Sequence, residues 1–340
     1  MIRRNIFSLL AAFSIWAGAS GLAAADPLAE LAEFSVFKNV DLGKLAGGNV
    51  LAARGPAMSS ARGMAVESCY IVQAPPQKVA ALQNRWDPSN HPELKVYLHA
   101  DISAKPILGN FAKARTLPDN GAARSLVAAT QKLNSAKPEL QMSRDEAAAF
   151  AKKGGTSAQD VSAFWSNLLF QRSLAFGSGG ASRQPPYFVD GATISVADEI
   201  GHLLSDVPKV RAHFKPLLDS SSFLKSGSIA PALYWELFDV DGTAAFSLGA
   251  EFDKAVGDGW QSLDAQYYAS DGYFVFLTFY QIWPVTIENR PATLVWRGDL
   301  ISSAELGALH GVERMGSGTA MMKEIQKSIS VFLRDAASSR

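Results

Sequence analysis

Two Asp-Gly pairs set between β-rich runs, Asp241-Gly242 and Asp271-Gly272, limit what this chain can fold into. Asp-Gly suits the two-residue hairpin turn, whose central residues need φ > 0, so the runs flanking each pair are expected to lie antiparallel. The first pair separates residues 232–238 from 244–250, and the second separates 263–269 from 273–282. A further run at 291–297 completes a predicted meander of five strands. Between residues 273 and 280 one face carries Val275, Leu277 and Phe279 and the other Phe274, Phe276 and Tyr280, so this strand is expected to be covered on both sides. In residues 233–237, Leu233, Trp235 and Leu237 face one way while Tyr234 and Glu236 face the other.

The meander is followed by an amphipathic stretch, residues 303–335, with Leu306, Leu309, Met322, Ile325, Ile329 and Phe332 at helical spacing. Upstream, residues 68–73 read as a strand stopped by Ala74-Pro75-Pro76, residues 77–86 as a helix, and residues 94–100 as a half-buried strand. An edge strand is expected before them at 49–53. Residues 104–226 change character, being rich in Ala, Ser, Gly and Lys and dominated by helical signals. Ser143 and Glu146 form a capping box, Thr156 or Ser157 caps a helix carrying Val161, Phe164 and Leu168, and Gly177 to Gly180 reads as a flexible break. Ser195 caps a helix striped by Val196, Ile200, Leu203 and Leu204, with Asp198, Glu199 and His202 expected on its exposed face.

The expected fold is therefore α+β: a curved antiparallel sheet gripping a long C-terminal helix, with a large helical insertion. The expected organisation is a leader at 1–25, an N-terminal extension at 26–65, a sheet-and-helix domain from 66–103 and 227–340, and the insertion at 104–226. The strand followed by Ala74-Pro75-Pro76-Gln77-Lys78-Val79, the meander and the terminal helix resemble the START-like (polyketide cyclase and lipid-transfer) helix-grip superfamily. The resemblance covers residues 66–100 and 228–336 and implies a ligand cavity between the curved sheet and the last helix. An insertion of this size departs from the family's short second helix.

Residues 1–25 have the order of a secretory signal: Arg3-Arg4, an apolar run from Ile6, and small residues ending at Ala25. The expected product is periplasmic or secreted, with no transmembrane segment in the mature chain. Removing Arg3 and Arg4 from 32 basic residues leaves 30 against 32 acidic ones, a net of −2. That balance speaks against nucleic acid as a partner, since binding it needs clustered Lys and Arg. Cys69, the only cysteine, allows no internal disulfide and reads as a buried strand residue rather than a nucleophile.

No catalytic signature is present. The sequence lacks HExxH, paired CxxC and G-x-S-x-G, and Glu199-x-x-His202 has no second copy to complete a di-metal site. No cofactor is expected. What remains is an aromatic sheet facing a Met-bearing helix, which suits a pocket for an apolar, lipid-like small molecule. Candidate lining residues are Tyr97, His99, Glu236, Tyr268, Tyr280, Arg297, Met315 and Met322. Arg297 and Glu236 are a candidate ion pair, and His99 with Glu236 a candidate acid/base pair. The alternatives are a cyclase or hydrolase using His99 with Glu236 or Tyr280, and an interaction module acting through the insertion.

Overall fold

The computed structural model describes residues 26–338, apart from 137, 155, 156 and 226. The signal expected at 1–25 and the candidate cap Thr156 lie outside the described residues. The chain opens with α1 (Pro27–Phe34), α2 (Leu42–Ala46), the edge strand β1 (Leu51–Arg54) and β2 (Gly63–Val72). Then come α3 (Pro76–Gln83), with proline in its first turn, and β3 (Val96–Ile102). The insertion contains α4 (Gly121–Gln131), α5 (Arg144–Lys153) and α6 (Ala158–Gly179). A small hairpin of β4 (Tyr187–Val189) and β5 (Ala192–Ile194) follows, then α7 (Val196–Asp206), α8 (Pro208–His213) and α9 (Lys215–Ser220). The meander is β6 (Ala232–Val240), β7 (Thr243–Val256), β8 (Gly259–Ala269), β9 (Val275–Ile287) and β10 (Arg290–Ser302). The chain closes with α10 (Ala304–Ala308) and α11 (Gly311–Ser338).

Eight strands form one curved antiparallel sheet in the order β1-β2-β10-β9-β8-β7-β6-β3. β2 pairs with the last meander strand and β3 with the first, so residues 63–102 bracket the meander from both sides. The inner face carries α11 and α3: Tyr70, Ile282 and Val295 pack with Val79, Ile329 and Phe332. The outer face is buried by the insertion and α1, through Trp165, Leu169 and Phe214 against Trp235, Phe279 and Trp296. The sheet is thus covered on both sides, as the two apolar faces of β9 require.

Several local features depart from the sequence pattern. The strands outrun their predicted ends: β9 and β10 continue to a tight turn at Glu288-Asn289, where two non-glycine residues take φ of 49° and 61°. The terminal helical stretch is two helices. Ser303 caps α10, and Gly311 at φ 52° restarts the chain as α11, so Leu306 and Leu309 lie outside the long helix. The glycine run is no break: α6 continues through Gly179. Gly180, at φ 67°, sits where a Cβ would meet the Phe223 carbonyl oxygen at 2.3 Å, and that oxygen accepts from Ala181 N at 2.8 Å.

Glu199 is not on an exposed face either. It is 2% exposed, accepts from Arg62 Nε at 3.2 Å and from the Ser302 hydroxyl, and so joins α7 to the loop before β2 and to the end of β10. Ser195, Ser157 and the Ser143/Glu146 box do cap α7, α6 and α5.

Candidate functional site

A cleft of about 420 Å³ lies between the inner face of the sheet and α11. Its two sides differ in chemistry because two different periodicities make them. On α11 the lining residues Met321, Ile325, Ser328, Ile329 and Phe332 recur at three- and four-residue steps and form one stripe. Trp86, after α3, extends this wall. Its ring meets Phe332 edge-on at 5.8 Å and its Nε1 donates to Asp335 Oδ2 at 2.8 Å, while His91 Nε2 lies 2.7 Å from the same oxygen. This stripe is apolar, and the one charged lining residue of α11, Glu324, is exposed and paired with Lys327.

The sheet side is polar. Cross-strand register places Asp299 beside Thr278, Thr278 beside Asp264, and Asp264 beside Glu251, in one row over four strands. Arg297 donates from Nε and Nη2 to Asp299 at 2.8 and 2.7 Å, and Thr278 Oγ1 donates to Asp299 at 2.9 Å. In the next strands Tyr234 OH donates to Asp264 at 2.7 Å and His99 Nδ1 lies 3.0 Å from Glu236 Oε1. Gln266 Nε2 reaches both Tyr234 OH and Glu236, and Tyr273 OH donates to Gln266. Glu251 makes no hydrogen bond or ion pair among the described residues, and its carboxyl lines the cleft. Gly249 makes room for the floor, since a Cβ there would lie 2.0 Å from Tyr234 Cζ.

The charge balance follows from this crowding. Burial first, then Asp264, Asp253, Glu236 and Asp101, raise the Glu251 carboxyl far above the ordinary range. Burial likewise raises Asp264, with Glu236 and Asp299 adding to it while the Tyr234 hydrogen bond and Arg297 oppose. For His99, burial works against the charged ring, but the hydrogen bond and charge of Glu236 outweigh it and the imidazole is raised. Arg297 is held charged by Asp299 against its own burial. Among the described residues no group of three or more His, Cys, Asp or Glu is placed to hold a metal ion.

Of the residues expected at the cavity, His99, Glu236, Tyr280 and Arg297 line it. The Arg297–Glu236 pair is not formed, because Arg297 is taken by Asp299 two residues along its own strand and Glu236 faces His99. Tyr97 and Tyr268 are excluded by the same device. Val96 and Leu98 sit opposite the adjacent residues Phe238 and Leu237, and Tyr268 and Gln266 sit opposite the adjacent Leu248 and Gly249. Each pattern is a β-bulge that inserts one residue, Tyr97 in β3 and Tyr267 in β8, and breaks the alternation there. Tyr268 therefore joins Tyr267 on the outer face, 4.1 Å under the Arg172 guanidinium, and Tyr97 turns to Asp239. Met315 is 52% exposed, and Met322 packs beside the inner apolar cluster, leaving Met321 as the methionine of the cleft wall.

Sequence reasoning missed Tyr234, Glu251, Asp264 and Gln266. Asp264 and Gln266 alternate with the buried Leu263 and Ala265, a period-two signal that assigns them to one face. Glu251 lay beyond the predicted end of its strand.

No protein-family model, no curated protein and no solved structure matches the chain. No helix among the described residues is long and apolar enough to cross a membrane.

Proposed function

We propose that this chain is an exported protein that binds an amphiphilic small molecule in the cleft between the sheet and α11. The lipid-like part of the ligand lies against α11 and Trp86, and its polar end on the sheet. The observation that carries this reading is the cleft's two-sided make-up, an apolar helix stripe opposite a polar strand floor across about 420 Å³. That volume is within the ~300–1,000 Å³ usual for small-molecule sites. The START-like resemblance of residues 66–100 and 228–336 points to the same place. The leader-like residues 1–25 support export.

Titration with Nile red, a neutral apolar fluorophore, tests the site. Saturable binding at one probe per chain is expected, weakened at least tenfold by Ser328→Trp. Ser328 is a half-buried lining residue whose replacement fills the cleft without removing core packing. Unsaturable binding, or a Ser328→Trp variant that binds as well as the parent while keeping its thermal midpoint, would sink the reading.

A second reading is favoured by one contact, His99 Nδ1 at 3.0 Å from Glu236 Oε1 at the cleft's edge. A raised imidazole oriented by a carboxylate is the arrangement of a general acid/base. Under that reading the chain turns its ligand over. His99→Gln would then abolish turnover of a ligand extracted with the protein, leaving its binding in place.

A further inference from the structure

We propose that the ligand's polar end is an organic cation, a protonated amine, rather than a carboxylate, phosphate or sulfate. This rests on the cleft being the binding site. Four acidic side chains of the sheet line it, Glu236, Glu251, Asp253 and Asp264, against two basic ones, His99 and Arg297; Glu324 of α11 also borders it but is exposed and paired with Lys327. Both bases are already committed: Arg297 to Asp299 through a bidentate fork, and His99 to Glu236. An anionic head would meet no uncommitted cation, and its charge would oppose ionisation of the crowded carboxyls beside it, whereas a cation would favour that ionisation.

The acids are not equivalent. Asp253 accepts from Asn84 Nδ2 at 2.8 Å and from the Ser262 hydroxyl, and Asp264 from Tyr234. Glu251 alone among the floor acids has no hydrogen-bond donor, and it stands beside Asp264 in the strand register. A carboxyl enclosed by other carboxyls and facing a cavity is complementary to an N–H-bearing cation. The groups around it fit the same head. Tyr234 packs over Gly249, next to Glu251 in β7, and Phe276 and Tyr273 also line the cleft, while the Tyr280 ring is already covered by the Arg297 guanidinium. Aromatic faces attract a desolvated cation through the ring quadrupole and offer an anion nothing comparable. The apolar stripe of α11 takes the rest of the molecule.

Three probes of equal chain length separate head group from tail: n-octylamine, n-octanol and n-octanoate, each displacing Nile red from the full chain at pH 7. Octylamine is expected to bind at least tenfold more tightly than octanol, and octanoate more weakly than octanol. In Glu251→Gln the amine-to-alcohol ratio is expected to fall to within about twofold of unity, the order expected when a single charge contact is removed. Asp198→Asn, an exposed acid of α7 outside the cleft lining, keeps the ratio and controls for a general charge effect. Octanoate binding as tightly as octylamine, or an unchanged ratio in Glu251→Gln, overturns the cation assignment. If octanol binds and the amine gains nothing, the amphiphile site stands and the head group is wrong. If none of the three displaces saturably bound Nile red, both readings fall.

Discussion

Replacing Arg172 by Met is expected to destabilise the chain by about 3–5 kcal/mol, the usual cost of removing one partner of a buried ion pair. Arg172 is fully buried where α6 crosses the outer face of the sheet. Its Nε and Nη2 donate to Glu146 at 2.8 and 2.7 Å, Nη1 donates to the Pro185 carbonyl at 3.1 Å, and the guanidinium lies 4.1 Å over the Tyr268 ring. Without it, Glu146 faces an apolar interior and the Pro185 carbonyl loses its donor. The double variant Arg172→Met/Glu146→Gln is expected to regain most of the loss. Glutamine at that position keeps the capping box with Ser143 and brings no charge. Urea midpoints at constant m-value report both. A single-variant loss under about 1 kcal/mol, the range of an ordinary surface change, would show that the pair is not what holds α5 against α6.

The second large effect is a fall in stability as pH rises from 5 to 8. Glu251 and Asp264 hold their protons more tightly folded than unfolded, because burial and the neighbouring acids raise both. For a raised carboxyl the contribution is complete below the unfolded value of about 4 and is lost as pH climbs toward the folded one. His99, raised by Glu236, acts in the same direction, whereas the depressed Asp206 and Asp239 act below this window. His213, lowered by burial, opposes by gaining stability as its proton is shed. The net expectation is a loss of at least about 1 kcal/mol across the range, after discounting for the water that reaches the cleft. In Asp264→Asn/Glu251→Gln the profile should flatten, and at pH 8 the variant should be more stable than the parent. Thermal midpoints in buffers of constant ionic strength decide it, and parallel profiles for the two proteins would falsify the account.

Much of the architecture was legible in the sequence because it is written in periodicities. The meander, the edge strand, the capped helices of the insertion and the helix gripped by the sheet follow from alternation, caps and the Asp241-Gly242 turn. At Asp271-Gly272, by contrast, only the glycine takes a positive φ, and the last registered pair of β8 and β9 is Gln266 with Phe276. What escaped has physical causes. A bulge adds one residue and reverses the sidedness of everything beyond it, so Tyr97 and Tyr268 were read onto the wrong face although their strands were correctly placed. The break before α11 turns on one left-handed glycine, Gly311, inside a run that otherwise keeps helical spacing. Glu199 looked exposed because its partners, Arg62 and Ser302, come from distant segments. The same is true of the cleft. His99 and Glu236 are 137 positions apart and meet only because β3 pairs with β6.

The pairing of β2 with β10 sets the order in which this chain can acquire its structure. Residues 63–72 find their main partner at 290–302, so the sheet stays incomplete until almost the whole chain has emerged. Within the meander each strand pairs with its neighbour in sequence and can form early, while β1, β2 and the α11 seat must wait for closure of a loop of more than 200 residues. Pulse-labelled amide exchange during refolding should therefore protect β6–β9 before β2. The late closure also means that a partly folded chain presents the unpaired edge of β10, a strand with the apolar run Leu294, Val295 and Trp296, to any other chain nearby. Until β2 closes on it, that edge is where two copies of this chain would pair.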